Sequence, residues 1–203
     1  MRNVSVLLLA VAMMIVTACA GEGWSREELR VIRKVGEVMR VLTVDEAGDS
    51  LFLRRHCREI PVEALEGEDY KILASKMVAT VTSPEQDGVG IAGPQVGISR
   101  RIVAVQRFDK EGEPFEVYPN IYITGHEGDL VPGPEGCLSV PGRRGDVLRY
   151  REIDIRYSLP AGGAFPARDT VEHVSGFTAV IFQHECDHLD GILYTDYSLQ
   201  YSR

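Results

Sequence analysis

The chain has 203 residues, 44% of them hydrophobic and 26% charged, with a formal net charge of −8 and four cysteines. That length suits one domain, and the acidic balance argues against a general nucleic-acid or anionic-membrane surface. No internal repeat or low-complexity tract stands out.

The first element is an apolar run from Val4 to Val16, preceded by Arg2. It is short for a membrane span, which takes about 18 or more residues, but suits the core of a signal peptide. It ends in Val16-Thr17-Ala18-Cys19, which resembles a lipoprotein signal box. Residues 1–18 are therefore expected to be a signal peptide, with Cys19 as the lipidation site. Residues 19–38 are expected to hold a linker and an added helix, running from Ser25 toward Val41. Ser25 is its N-cap, and Glu28 takes the capping-box position.

The next distinctive segment is Gly88-Val89-Gly90-Ile91-Ala92-Gly93-Pro94-Gln95-Val96-Gly97. It formally matches a dinucleotide fingerprint, but that motif follows an apolar strand and opens a helix. Here Ser83-Pro84-Glu85-Gln86-Asp87 precedes it, and Pro94 and Gly97 interrupt it. The segment reads as a loop whose missing side chains let backbone approach a ligand, with Gln95 as an amide donor. Farther on, Pro134-Glu135-Gly136-Cys137-Leu138-Ser139 holds a lone cysteine beside glycine. Alone, such a residue is more often a small buried hydrophobe.

The strongest signal is Gln183-His184-Glu185-Cys186-Asp187-His188-Leu189-Asp190-Gly191, after the mostly apolar Phe177 to Ile181. Two histidines four apart share one helix face and can hold one metal ion, with Glu185 beside it as a proton carrier. This is the pattern of metal-assisted hydrolysis, and a catalytic site of this type usually takes a third protein ligand. Position 194 is Tyr, so no histidine stands six residues downstream; Asp190 and Asp196 are the carboxylates there. Upstream candidates are His56, His126, Cys137 and His173. Cys137 stands out, because a thiolate beside two imidazoles is a soft set that suits Zn or Fe(II). Counting back four and seven from His184 puts Val180 and Phe177 on its face, as walls of an apolar pocket that Val89 would close.

In this order the three segments resemble the three motifs of the peptide deformylases, G-x-G-x-A-A-x-Q, E-G-C-L-S and Q-H-E-x-D-H. The likeness runs from about Met39 to Tyr197, which makes residues 39–203 the expected catalytic domain. It implies an α+β fold, with antiparallel sheets packed around a central metal-binding helix. It also implies one divalent metal, with Fe(II) favoured and Zn, Ni or Co as replacements. The implied reaction removes the formyl group from N-formylmethionyl peptides by attack of a metal-bound hydroxide. By the resemblance the ligands are Cys137, His184 and His188, and Glu185 is general base and acid. The Gln95 side chain and the Leu138 backbone N–H stabilise the oxyanion. Val89 and Gly90 meet the substrate, Arg144 faces the bound peptide, and Asp187 pairs with Arg149 in a network that Glu135 joins. Nucleic acid is not an implied partner, and the membrane is reached only through a lipid on Cys19.

Two departures stand out. Gly93 replaces the motif's second alanine, which predicts a looser loop by up to about 1 kcal/mol of backbone entropy. Tyr118-Pro119-Asn120 stands where the family reads Asn-Pro, so the turn there is expected to differ. Two other readings use the same residues, an envelope metallopeptidase or amidase and a non-catalytic formyl-peptide binder; an intact Glu185 disfavours the binder. A signal sequence places the protein on a lipid anchor in a bacterial cell envelope, whereas a start at Met39, where the likeness begins, would leave it cytoplasmic. Of the remaining cysteines, Cys186 is expected as a buried thiol, and Cys57 has no predicted partner.

Overall fold

The computed structural model describes residues 23–160 and 168–198. The expected signal segment and Cys19 lie outside them. The first element, α1 (Arg26–Ile32), starts on a capping box: Ser25 Oγ accepts the Glu28 N–H at 3.1 Å, and Glu28 Oε2 accepts the Ser25 N–H at 2.7 Å. Both bonds satisfy donors that a helix start leaves open. The helix stops at Ile32, short of the expected Val41. Residues 33–38 turn away, with Gly36 at φ +109°, and Met39 then donates its N–H to Thr80 Oγ1 at 2.8 Å.

After α2 (Ala47–Leu53), α3 (Glu68–Val81) buries Tyr70, Leu73, Met77, Thr80 and Val81, the three-and-four spacing of one helical face. The strands β1 (Gly90–Ala92), β2 (Ile102–Gln106) and β3 (Phe115–Pro119) form an antiparallel sheet in that order. Successive β2 side chains face opposite ways. Ile102 and Ala104 join a core with Trp24, Ile32, Leu73 and Met77, while Val103 and Val105 join a second core with Phe182, Cys186 and Leu189. A sheet covered on both faces explains why β2 reads as an unbroken apolar run.

A second antiparallel sheet has the order β4 (Tyr122–Glu127), β7 (Glu152–Leu159), β8 (Arg168–Ser175). The hairpin of β5 (Val131–Cys137) and β6 (Val140–Arg149) stands apart, with an irregular register between Gly136 and Cys137. Between the two sheets runs α4 (Gly176–Leu189), against β1, β2, β4, β7 and β8. Its buried residues include Ala179, Ile181, Phe182, Gln183, Glu185, Cys186 and His188. The last element, α5 (Thr195–Ser198), packs on β6. This is an α+β architecture with antiparallel sheets around a central helix, as the resemblance implies.

Near residue 119 the turn rests on Asn120. Asn120 adopts φ +55° and its buried side chain spans Ile60 N at 2.7 Å, Ile60 O at 2.9 Å and Ser158 Oγ at 3.2 Å. Asparagine is among the few residues that tolerate this backbone. Cys57 and Cys186 are free and buried in the second core, where burial pushes the Cys57 thiol up to about 11. No helix among the described residues is long and apolar enough to cross a membrane.

Candidate active site

The four-residue spacing on α4 sets the His184 and His188 rings 5.0 Å apart between centroids, steeply inclined to each other. The irregular end of β5 carries Cys137 toward them, with Sγ 3.2 Å from His188 Nε2. Bulges beside active sites re-aim side chains in this way. One ligand atom from each of Cys137, His184 and His188 lies within 4.8 Å of the others. A tetrahedral Zn-type site with S and N ligands needs roughly 3.4–3.6 Å between ligand atoms, so rotations of the side chains close the set. The donor chemistry and spacing fit a divalent metal. Burial holds His188 below the usual imidazole range, toward the neutral form that ligates, and its Nδ1 has no partner.

The remaining ring nitrogen of His184, Nδ1, meets Glu135 Oε2 at 2.8 Å, which turns Nε2 toward the ligand cluster. Glu135 accepts the Arg149 guanidinium through both oxygens, at 2.8 and 3.1 Å, and Arg149 reaches Asp187 Oδ2 at 2.6 Å. Burial opposes the charge on Glu135, but the His184 and Arg149 bonds outweigh it and hold the carboxyl down to about 2. Arg149 is buried, so this is no loose surface pair. It ties α4 to the cysteine-bearing hairpin. The Glu135–His184 bond was not anticipated from the sequence, although Glu135 stands only two residues before Cys137.

Glu185 lies buried beside His184, and its Oε2 has no hydrogen-bond partner. Burial pushes its carboxyl up to about 7, against the attraction of His184. Over it passes β1, where a Cβ on Gly90 would fall 2.5 Å from Glu185 Oε1. Gln95 sits in a 3-10 turn, Gly93–Val96. Its Oε1 accepts the Ala92 N–H at 2.8 Å, which leaves Nε2 pointing at Cys137 Sγ (3.5 Å) and Ser139 Oγ (3.3 Å).

These groups open into a cavity of about 840 Å³. Val89, Phe177, Val180 and Ile181 line its apolar side, Leu138 and Gly90 flank the ligands, and Arg143 and Arg144 stand at the hairpin side. Phe177 is half exposed and packs against Phe108, ring centroids 5.4 Å apart. The sequence reading did not pick out Ile181 or Phe108. Ile181 was within reach, three residues before His184 on the same helix face.

The other upstream histidines lie elsewhere. His126 stacks on Tyr150, His173 pairs with Asp154 at 3.0 Å, and His56 is 4.0 Å from Asp190. Downstream, Asp190 binds Arg101 at 2.6 Å and Asp196 binds Arg54. Among the described residues, Cys137 alone of the third-ligand candidates joins the histidine pair.

The family model described as polypeptide deformylase matches residues 38–203. The chain belongs to that family. It is similar to the peptide deformylase of Symbiobacterium thermophilum, 41% identical over 136 residues, which cover 67% of this chain and 58% of that protein. The Thermus thermophilus peptide deformylase is 43% identical over 155 residues, 70% of this chain and 74% of that one. Among solved structures, the actinonin-bound class I type b peptide deformylase of Acinetobacter baumannii aligns with a TM-score of 0.65 at 34% identity. It covers 79% of this chain and 97% of that one. The Thermotoga maritima enzyme gives 0.66 at 28% identity, with 79% and 97% covered. As a deformylase the chain is a metal-dependent hydrolase of N-formylmethionyl peptides, and nothing in these likenesses favours the metallopeptidase or the non-catalytic binder.

Proposed function

We propose that this site deformylates peptides with Cys137, His184 and His188 as ligands of one Fe(II) ion, and with Glu185 as the residue that moves the proton. The observation that carries this reading is the convergence of a soft S/N/N set with a buried, unpartnered Glu185 oxygen at the floor of one cavity. When bound, the metal supplies Lewis-acid polarisation and acidifies water toward neutral pH. Glu185 takes the proton of the attacking water and returns it to the leaving amine. Gln95 Nε2 and the Leu138 backbone N–H donate to the oxyanion; its Oε1 bond to Ala92 preorganises Gln95 for this. Val89, Phe177 and Val180 bury the unbranched methionine side chain, and Arg144 steadies the peptide beyond it. One relative, the Acinetobacter baumannii enzyme, has a solved structure with Met-Ala-Ser bound, which supports a short methionyl peptide as the bound species.

The experiment compares metal-loaded protein on formyl-Met-Ala-Ser and Met-Ala-Ser, beside Glu185→Ala. Release of formate from the first alone, lost in the variant, is expected. Internal cleavage of both peptides at equal rates would sink the assignment.

The same proposal places the protein on a lipid at Cys19 in a bacterial cell envelope, on the strength of the Val16-Thr17-Ala18-Cys19 pattern. A second observation favours residues ahead of Met39 as part of the folded unit: Trp24 and Ile32 are buried in the first core. Mass analysis of the native amino terminus tests it. A diacylated Cys19 is the expected result, and an unmodified start at Met39 would refute it.

A further inference from the structure

Residues 23–37 precede the family match, and the reaction as described makes no use of them. They are nevertheless fastened to the loop that carries Gln95. The contact is Arg100, buried between α1 and the start of β2. Its Nε donates to Glu28 Oε1 at 2.6 Å, Nη2 to Glu28 Oε2 at 3.0 Å and to Gly23 O, and Nη1 to Glu59 O at 2.8 Å. The guanidinium also lies 5.5 Å from the centre of the Trp24 ring. A two-pronged carboxylate with two carbonyls leaves Arg100 little freedom, and its backbone is held with it.

That backbone presses on the catalytic turn. A Cβ on Gly93 would stand 2.7 Å from Arg100 O and 2.8 Å from Ile98 O, and the Ile98 N–H donates to Gly93 O at 2.9 Å. At the other end of the turn, Val31 of α1 comes within 4.0 Å of where a Cβ on Gly97 would lie. Gln95 sits between these two glycines.

We propose that α1, through Glu28 and Arg100, is a buttress that positions Gln95 for oxyanion stabilisation. Glu28 and Arg100 are then positioning residues for deformylation. The inference rests on the role given to Gln95 above. It also accounts for Gly93 in place of the motif's alanine: the clamped Ile98–Arg100 carbonyls occupy the space a methyl group would need.

The test uses the full chain, metal-loaded, with formyl-Met-Ala-Ser as substrate. Glu28→Gln keeps the shape and removes the charge. The expected result is a fall in kcat of about tenfold, the scale on which small misplacements of a reacting group act, with KM and metal content within about twofold of wild type. Exchange of the Ile98 amide should quicken in the same variant. In a Gln95→Ala background, Glu28→Gln should cost no further activity, because it acts through Gln95. Should Glu28→Gln fold poorly, Arg100→Lys carries the same test with the charge kept and the fork lost. A folded variant with unchanged kcat, or an undiminished loss in the Gln95→Ala background, would overturn the buttress. Wild-type kcat in Gln95→Ala itself would instead overturn the oxyanion role, and unchanged Ile98 exchange would overturn the buttress whatever Gln95 does.

Discussion

Gly90→Ala is the sharpest probe of the site, because the three atoms nearest the added methyl group belong to Glu185 and Ile181, the proton carrier and a cavity wall. Its Cβ would lie 2.5 Å from Glu185 Oε1, 3.0 Å from Glu185 Cδ and 2.8 Å from Ile181 Cγ2. Carbon contacts relax near about 3.5 Å, so the carboxylate must move by about 1 Å and Ile181 by somewhat less. The strand cannot yield instead, since β1 is paired at Gly90–Val105, Ile91–Ala104 and Ala92–Val103. A 1 Å misplacement of a reacting group costs about 100-fold in kcat. The overpacking costs about 1–3 kcal/mol of stability. The assay is kcat on formyl-Met-Ala-Ser beside metal content and thermal unfolding. Low kcat with full metal content is expected, and adding Ile181→Ala should recover stability but not turnover. Wild-type kcat would refute the placement of Glu185 over the reacting atoms, and metal lost in step with activity would move the damage to the ligands.

Three further outcomes are expected. Glu135→Ala removes the acceptor that orients His184, so metal affinity measured by chelator competition should fall about 10–100-fold; unchanged affinity would count against that role. Phe108→Ala leaves the Phe177 ring unsupported, so KM for formyl-Met-Ala-Ser should rise while kcat stays near wild type; an unmoved KM would show that Phe177 needs no backing. For Glu28, burial opposes ionisation, but Arg100 and Ser25 outweigh it and hold the folded pKa below the ordinary carboxylate value. A depressed carboxyl pKa contributes stability above the unfolded value, near about 4.3, and loses it as pH falls through the folded value. The stability gap between wild type and Glu28→Gln should be full above about pH 5 and narrow in acid; a gap that is flat across that range would contradict the Glu28–Arg100 pairing.

The parts of the site legible in the sequence are those where chemistry fixes both residue type and spacing. A metal held from one helix needs two histidines four apart, and that demand survives in any context, so His184 and His188 could be read without knowing the fold. Cys137 was legible only in combination, since its ligand role depends on a hairpin bringing it 47 residues across the chain to the helix. The end of α1 was not legible at all. Nothing local after Ile32 forbids helix until Gly36, and what draws the chain away is a bond from Met39 to Thr80 on another element.

Gly93 shows what such reading leaves out. Taken as a position, a glycine in place of alanine adds backbone freedom and predicts a looser loop. In the fold, the Ile98 and Arg100 carbonyls stand where that methyl group would lie, so in this chain the position has no room for the motif's alanine. Arg100 is paired with Glu28, 72 residues away, and no local pattern records that pairing. A glycine's freedom belongs to the unfolded chain, and its effect in the folded state is set by whatever stands where its Cβ would be. For this loop that occupant is backbone whose Arg100 side chain is bonded to Glu28, ahead of the family match, and the family's motif carries no record of it.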